Sequence, residues 1–159
     1  MNEEKKKTVM VSGGFDPVHV GHIRMIREAA QYGDVIVVAN SDQWLYRKKG
    51  FVFMEFEKRF EILSAIKGVI IVDSVDDTDG TVCEAIRRHK PDFFANGGDR
   101  GKSNTPEQSV CEQIGVELLW GIGGDYKADA SSNLVNRFRK EQKNEQSLEQ
   151  RSIIKHSDR

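Results

Sequence analysis

Short apolar runs alternate along the chain with amphipathic stretches and polar turns. Val9-Met10-Val11 reads as a first strand and is followed by Gly13-Gly14 and a helical pattern through Ile23, Ile26 and Ala29-Ala30. Gly33-Asp34 closes that helix, and Val35 to Ala39 predicts a strand buried on both faces. A polar, basic loop is expected from Asn40 to about Met54, then a helix carrying Phe56, Phe60, Leu63 and Ile66. Val69 to Val72 predicts the third strand, and Val82, Ala85 and Ile86 line the helix after it, which His89-Lys90-Pro91 stops. Phe93 to Ala95 is a short fourth strand with Asn96 to Asp99 as its exit turn. Val110, Cys111 and Ile114 mark another helix, ended by Gly115, and Val116 to Trp120 supplies a fifth strand.

Continuously apolar strands separated by helices imply parallel βαβ units with both sheet faces covered. The pattern predicts an α/β fold, a single doubly wound, Rossmann-like parallel sheet of about five strands flanked by helices. Ligands of such sheets bind outside the carboxyl ends of the strands, where strand order reverses. The polar clusters at 13–22, 40–49, 73–77, 96–100 and 121–132 each follow a strand, so they are expected to converge on one rim.

Composition narrows the picture. A length of 159 residues suits one domain with a real core. Charged residues make up 31% of the chain but nearly cancel, leaving a formal net charge of -1. No overall field therefore draws the chain to nucleic acid or an anionic membrane. Cys83 and Cys111 read as reduced packing residues. The apolar run after the charged start is too short for a signal peptide or membrane span, which predicts a cytoplasmic protein. The expected organisation is a flexible segment at 1–7, the domain at 8–142 and a polar, mobile tail at 143–159.

The candidate chemistry starts in the first turn, Gly13-Gly14-Phe15-Asp16-Pro17-Val18-His19-Val20-Gly21-His22. Adjacent glycines let a backbone approach a phosphate chain, and the following helix start offers free N–H groups and positive dipole charge. His19 and His22, three apart, can face one ligand, with Gly21 leaving space between them. Two imidazoles donating to α- and β-phosphate oxygens would stabilise charge as pyrophosphate departs. A turn holding two structural histidines is the plainer reading of each histidine alone; the surrounding Gly-Gly, Phe and Asp favour a nucleotide cradle.

GGFDPVHVGH resembles the GxFDxxHxGH signature of the cytidylyltransferase-like (HxGH) nucleotidyltransferases. YGDVIVVANSDQWLYRKKG is similar to the segment of the heptose-1-phosphate adenylyltransferases that carries a strand, NSD and a lysine before glycine. FMEFEKRFEIL resembles their ExR-bearing helix, PDFFANGGDR their strand ending in GGD, and KADASSNLVNRF their final Ser/Thr motif. The likeness spans roughly residues 8 to 139 and departs at Asn104 to Ser109, which reads as an insertion or a recast helix start, and at Ser131-Ser132-Asn133.

The resemblance implies transfer of AMP from ATP to a small phosphorylated substrate such as heptose 1-phosphate, with release of pyrophosphate. The alternatives are a CTP-dependent enzyme acting on glycerol 3-phosphate or another alcohol phosphate, and a catalytically silent nucleotide-binding regulator. It also implies Mg²⁺ carried mainly by the triphosphate, with no protein metal site, and a homodimer. His19, His22 and Lys48 or Lys49 are the candidate catalytic residues, although a run such as Arg47-Lys48-Lys49 is ordinarily a solvated face. Nucleotide binding falls to Gly13, Gly14, Phe15, Asp16, Gly21, Arg59, Asn96, Gly97, Asp99, Ser131 and Ser132. Substrate binding falls to Asp42, Arg100 and Lys127. Each has a plainer role to set against this: a surface salt bridge for Arg59, a tight turn for Asn96 to Asp99, and helix caps for Asp16 and the two serines.

Overall fold

The computed structural model describes residues 5–96, 105–123 and 131–157. Its strands are β1 (Thr8–Gly13), β2 (Asp34–Ala39), β3 (Val69–Asp73), β4 (Phe93–Asn96) and β5 (Glu117–Trp120). They form one parallel sheet in the order β3-β2-β1-β4-β5. The helices are α1 (Val20–Ala29), α2 (Asp42–Lys49), α3 (Phe56–Ser64), α4 (Cys83–His89), α5 (Pro106–Ile114) and α6 (Ser131–Ser157). Every crossover from one parallel strand to the next carries helix, as the doubly wound pattern requires.

Alternate residues of a strand face opposite sides of the sheet, and the core divides accordingly. Met10, Ile36, Val38 and Phe94 meet Ala85, Ile86, Val110 and Cys111 of α4 and α5 on one side. Val9, Val11, Val35, Val37 and Ala39 meet Ile26, Ala29 and Leu63 of α1 and α3 on the other. The free thiols Cys83 and Cys111 are both buried in the first of these layers, and burial, with smaller effects from Cys83, Glu107 and Glu112, raises the Cys111 thiol to about 11.

Strand order reverses between β1 and β4. These two strands pair only at Val9↔Phe93 and Met10↔Phe94, whereas β1 stays paired to β2 through Gly13↔Ala39. The ladder thus ends early between the two central strands, at the carboxyl ends where ligands of doubly wound sheets bind.

Two elements differ from the sequence pattern. The stretch expected as a loop after Asn40 contains α2, a helix with a single buried residue, Leu45. Its ends are fixed by caps rather than by apolar periodicity: Ser41 Oγ accepts from Trp44 N, and Gly50, at φ 81°, closes the helix in the left-handed region. Strand β3 is an edge strand with Ile70 and Ile71 exposed, so its apolar run does not mean burial on both faces. The start of α5 is a helix cap, with Thr105 accepting from Gln108 N and Pro106 in the first turn.

Helix α6 runs on through the segment expected to be a polar tail. Val135 is buried, but every residue from 136 to 155 is exposed. Among the described residues, no helix is long and apolar enough to cross a membrane.

Candidate active site

The turn from β1 to α1 is held from three sides. A Cβ at Gly14 would stand 2.9 Å from Leu45 Cδ2 and 3.5 Å from Trp44 Cζ3, so α2 lies directly on this glycine. Phe15 adopts φ 52°, a left-handed conformation that is strained for a bulky residue, with its ring buried and edge-on to His22 at 4.8 Å. Asp16 is 2% exposed, and its carboxylate accepts from Phe53 N at 2.8 Å and Met54 N at 2.5 Å.

The Asp16 carboxylate also pairs with Lys49 at 2.8 Å, and Lys49 Nζ donates to the Asp16 carbonyl at 2.7 Å. Asp16 therefore neither caps α1 nor orients a histidine; it ties the α2–α3 connection to the turn. The cap of α1 is made by the histidines. His19 is the N-cap residue, its Nδ1 accepting from Gly21 N at 3.0 Å, while His22 Nδ1 accepts from His19 N at 3.2 Å. This is a capping box built from two imidazoles. Their rings stack with centroids 3.8 Å apart.

A ring nitrogen that accepts from an amide carries no proton, so each neutral imidazole holds its proton on Nε2. Burial first, and then the neighbouring His19, push the His22 imidazole down from 6.5 to about 3, so its ring is neutral at physiological pH.

Arg59 stands elsewhere than expected. Its side chain is 0% exposed, donating through Nε to Met54 O at 2.9 Å and through Nη1 to Gly14 O at 2.8 Å and Asn40 O at 2.7 Å. Nη2 donates to Asp42 Oδ1 at 2.7 Å. Arg59 binds together the first turn, the β2 exit and the start of α3, and Asp42 is engaged with it. The guanidinium fork suits this because one planar group reaches carbonyls of three segments at once.

The sequence reading passed over three residues. Asp77, 3% exposed, accepts from Asn40 Nδ2 at 3.1 Å, Ser41 N at 2.8 Å and Ser41 Oγ at 2.6 Å, while Arg47 Nη2 donates to its carbonyl at 2.7 Å. Asp77, Asn40 and Ser41 thus fix the β2–α2 turn. A carboxylate in the polar cluster after β3 and the Asn-Ser-Asp run after β2 were the available signals.

The structure brings Gly13, Gly14, Phe15, Asp16, His19, Gly21 and His22 into one turn, and carries Lys49 onto it. Lys48 instead lies over the Trp44 ring, 4.5 Å from its centroid. Asn96 sits at the end of β4, its carbonyl accepting from Ile122 N at 3.3 Å. Gly97, Asp99, Arg100 and Lys127 lie outside the described residues. Ser131 and Ser132 open α6 as the motif implies, their side chains being outside the description. Among the described residues no group of His, Cys, Asp and Glu is arranged to hold a metal ion.

This geometry, a histidine-capped helix at the switch point of a parallel sheet, coincides with a family model. The cytidylyltransferase-like model matches residues 10–156. The chain belongs to the cytidylyltransferase-like family of nucleotidyltransferases. It is 31% identical over 147 residues to the bifunctional protein HldE of Hahella chejuensis, covering 86% of this chain and 28% of that one. The chain thus spans about a quarter of the length of the HldE relatives it matches. It is 38% identical over 153 residues to the FAD synthase of Thermococcus kodakarensis, covering 87% of this chain and 96% of the relative. Among solved structures, the lipopolysaccharide core biosynthesis protein of Thermoplasma volcanium shares the fold at a TM-score of 0.62 and 24% identity, covering 73% of this chain and 94% of that one.

Proposed function

We propose that this cytidylyltransferase-like protein transfers AMP from ATP to a small phosphorylated acceptor, releasing pyrophosphate. The observation that carries the reading is the histidine capping box. It sets the proton of each neutral ring on Nε2, on the side away from the cap, at a helix start where the dipole favours a triphosphate. N–H donors aimed at bridging and non-bridging oxygens would stabilise the charge that grows as pyrophosphate leaves.

A phosphate oxygen of the acceptor attacks the α-phosphorus in line. One P–O bond forms there as the bond to the bridging oxygen of the pyrophosphate breaks. A phosphate monoester is already anionic, so no general base is needed, and catalysis is positioning plus neutralisation. Lys49 is the cation for the α-phosphate, since its ammonium already reaches the turn. Arg59 acts at one remove, holding the Gly14 carbonyl inward and thereby turning the Phe15 N–H of the same trans peptide the other way.

The donor set also bears on Mg²⁺. The one buried carboxylate of the turn, Asp16, is saturated by two amides and Lys49. A magnesium ion would then be held mainly by the triphosphate's own oxygens, whose charge it would offset.

The acceptor has two readings. Likeness to HldE supports a sugar 1-phosphate such as heptose 1-phosphate. The FAD synthase relative, matched over nearly its whole length, supports FMN. The sugar phosphate is the reading adopted, on the GGD and NSD segments together. ATP and CTP presented with heptose 1-phosphate, glycerol 3-phosphate and FMN, with product mass and pyrophosphate both measured, test it. Turnover only with CTP would overturn the adenylyl assignment. Turnover with FMN alone would replace the sugar. No pyrophosphate from any pair would leave the chain a nucleotide-binding regulator.

A further inference from the structure

The connection between α2 and α3 carries Phe51 directly after the cap Gly50. Two cations lie against its ring: Lys49 Nζ, 4.8 Å from the centroid, and Arg139 Cζ, 4.5 Å from it. Arg139 comes from α6, one turn beyond the buried Val135, so an anchored stretch of helix delivers it to the ring that Lys49 also meets. Lys49 is balanced by Asp16. Among the described residues, no carboxylate forms an ion pair with Arg139, which is exposed.

A guanidinium resting on an aromatic ring keeps its N–H groups in its own plane, at its edge, where they suit a planar or tetrahedral oxyanion. Among the described residues, two cations therefore meet on this ring with one paired carboxylate, Asp16, next to the lysine proposed for the α-phosphate. Adenylyl transfer needs such a charge, because a phosphate monoester must approach a triphosphate of the same sign before the new P–O bond forms.

We propose that Arg139 binds the phosphate of the acceptor, with Phe51 as the platform that holds its guanidinium beside Lys49. This rests on the transferase reading above and adds a specificity-determining residue to it: the acceptor's phosphate, not the nucleotide's, is the group Arg139 meets.

Steady-state kinetics of Arg139→Ala, Arg139→Met and Arg139→Lys with whichever acceptor is turned over give the test. The acceptor KM rises about tenfold or more in the Ala and Met variants and less in the Lys variant, which keeps the charge but not the fork, while the KM for ATP stays within about twofold. The Met variant keeps apolar contact with Phe51, so a merely structural arginine would leave its acceptor KM unchanged. That result, or equal increases in both KM values, overturns the proposal. If no acceptor is turned over, the transferase reading fails, and calorimetry with inorganic phosphate on the protein loaded with a non-hydrolysable ATP analogue decides about Arg139 separately. Phosphate binding weakened about tenfold in Arg139→Ala supports the site, and equal binding removes it.

Discussion

His19 and His22 cap one helix with the same ring nitrogen: Gly21 N donates to His19 Nδ1 at 3.0 Å, and His19 N donates to His22 Nδ1 at 3.2 Å. In the proposed reaction, capping and phosphate donation would use opposite sides of each imidazole, and substitution can separate them. Asparagine is a good N-cap residue but carries no donor at the Nε2 position. His19→Asn is expected to keep its melting temperature close to that of the parent, while kcat falls about 100-fold or more with a smaller change in the KM for ATP. His19→Ala should lose the same activity and about 1 kcal/mol of stability as well. Wild-type turnover in His19→Asn would remove the ring from the reaction.

The depressed basicity of His22 makes stability depend on pH. Burial and the adjacent His19 hold the folded-state imidazole at about 3, against 6.5 in the unfolded chain. Between those values the unfolded chain binds a proton that the folded ring does not, so unfolding is favoured by acid. The stability is complete above about pH 6.5 and falls as pH drops towards 3, by up to about 1.4 kcal/mol per unit from this group. Urea unfolding of the parent and of His22→Gln, compared from about pH 7 down to 4.5, isolates the effect, because other groups titrate in both. Parallel curves would mean that His22 protonates as readily when folded as when unfolded.

Arg59 has a structural weight that its surroundings in the sequence conceal. Its fully buried side chain satisfies three carbonyls and one carboxylate. Arg59→Met leaves those acceptors unpaired inside the domain and is expected to cost about 3–5 kcal/mol, seen as a lower denaturant midpoint. Asp42→Asn should cost much less, since Asp42 is 38% exposed and water can replace it. Near-parental stability in Arg59→Met would show that the turn closes without the arginine, and would return Arg59 to the ligand side.

The strands and the first turn were legible because both signals are local. Apolar runs bounded by glycine, proline and polar turns marked all five strands, and the Gly-Gly-Phe-Asp segment with paired histidines marked the turn between β1 and α1. Helix α2 was hidden because it buries only Leu45, so no apolar stripe betrayed it, although Ser41 and Gly50 stood at the cap positions. The edge position of β3 could not be read from its valines and isoleucines, since topology decides which apolar run lacks a neighbour. The roles of Arg59, Asp16 and Asp77 depended on contacts between segments far apart in sequence: Arg59 to Gly14, Asp16 to Met54, Asp77 to Ser41. A charge in a polar stretch looks solvated until the fold shows what encloses it.

The two lysines of α2 separate on the same principle. Sequence alone left Lys48 and Lys49 equivalent, but successive helix positions point about 100° apart. Lys48 rests on Trp44 with its ammonium exposed on the helix face, a contact worth about 0.5–1 kcal/mol at such a site. Lys49 turns inward to Asp16, whose carboxylate already receives two amides and so cannot swing after it. In the proposed reaction, an incoming triphosphate would compete with this fixed partner for the Lys49 ammonium, which its greater negative charge favours. Lys49→Ala is accordingly expected to lower kcat about 100-fold or more, whereas Lys48→Ala lowers it less than about fivefold. Lys49→Ala also leaves the buried Asp16 carboxylate with its amides alone, so its thermal stability must be measured beside its kinetics. Loss of activity with the fold intact assigns the phosphate contact to Lys49; a larger kcat loss in Lys48→Ala would reverse the assignment.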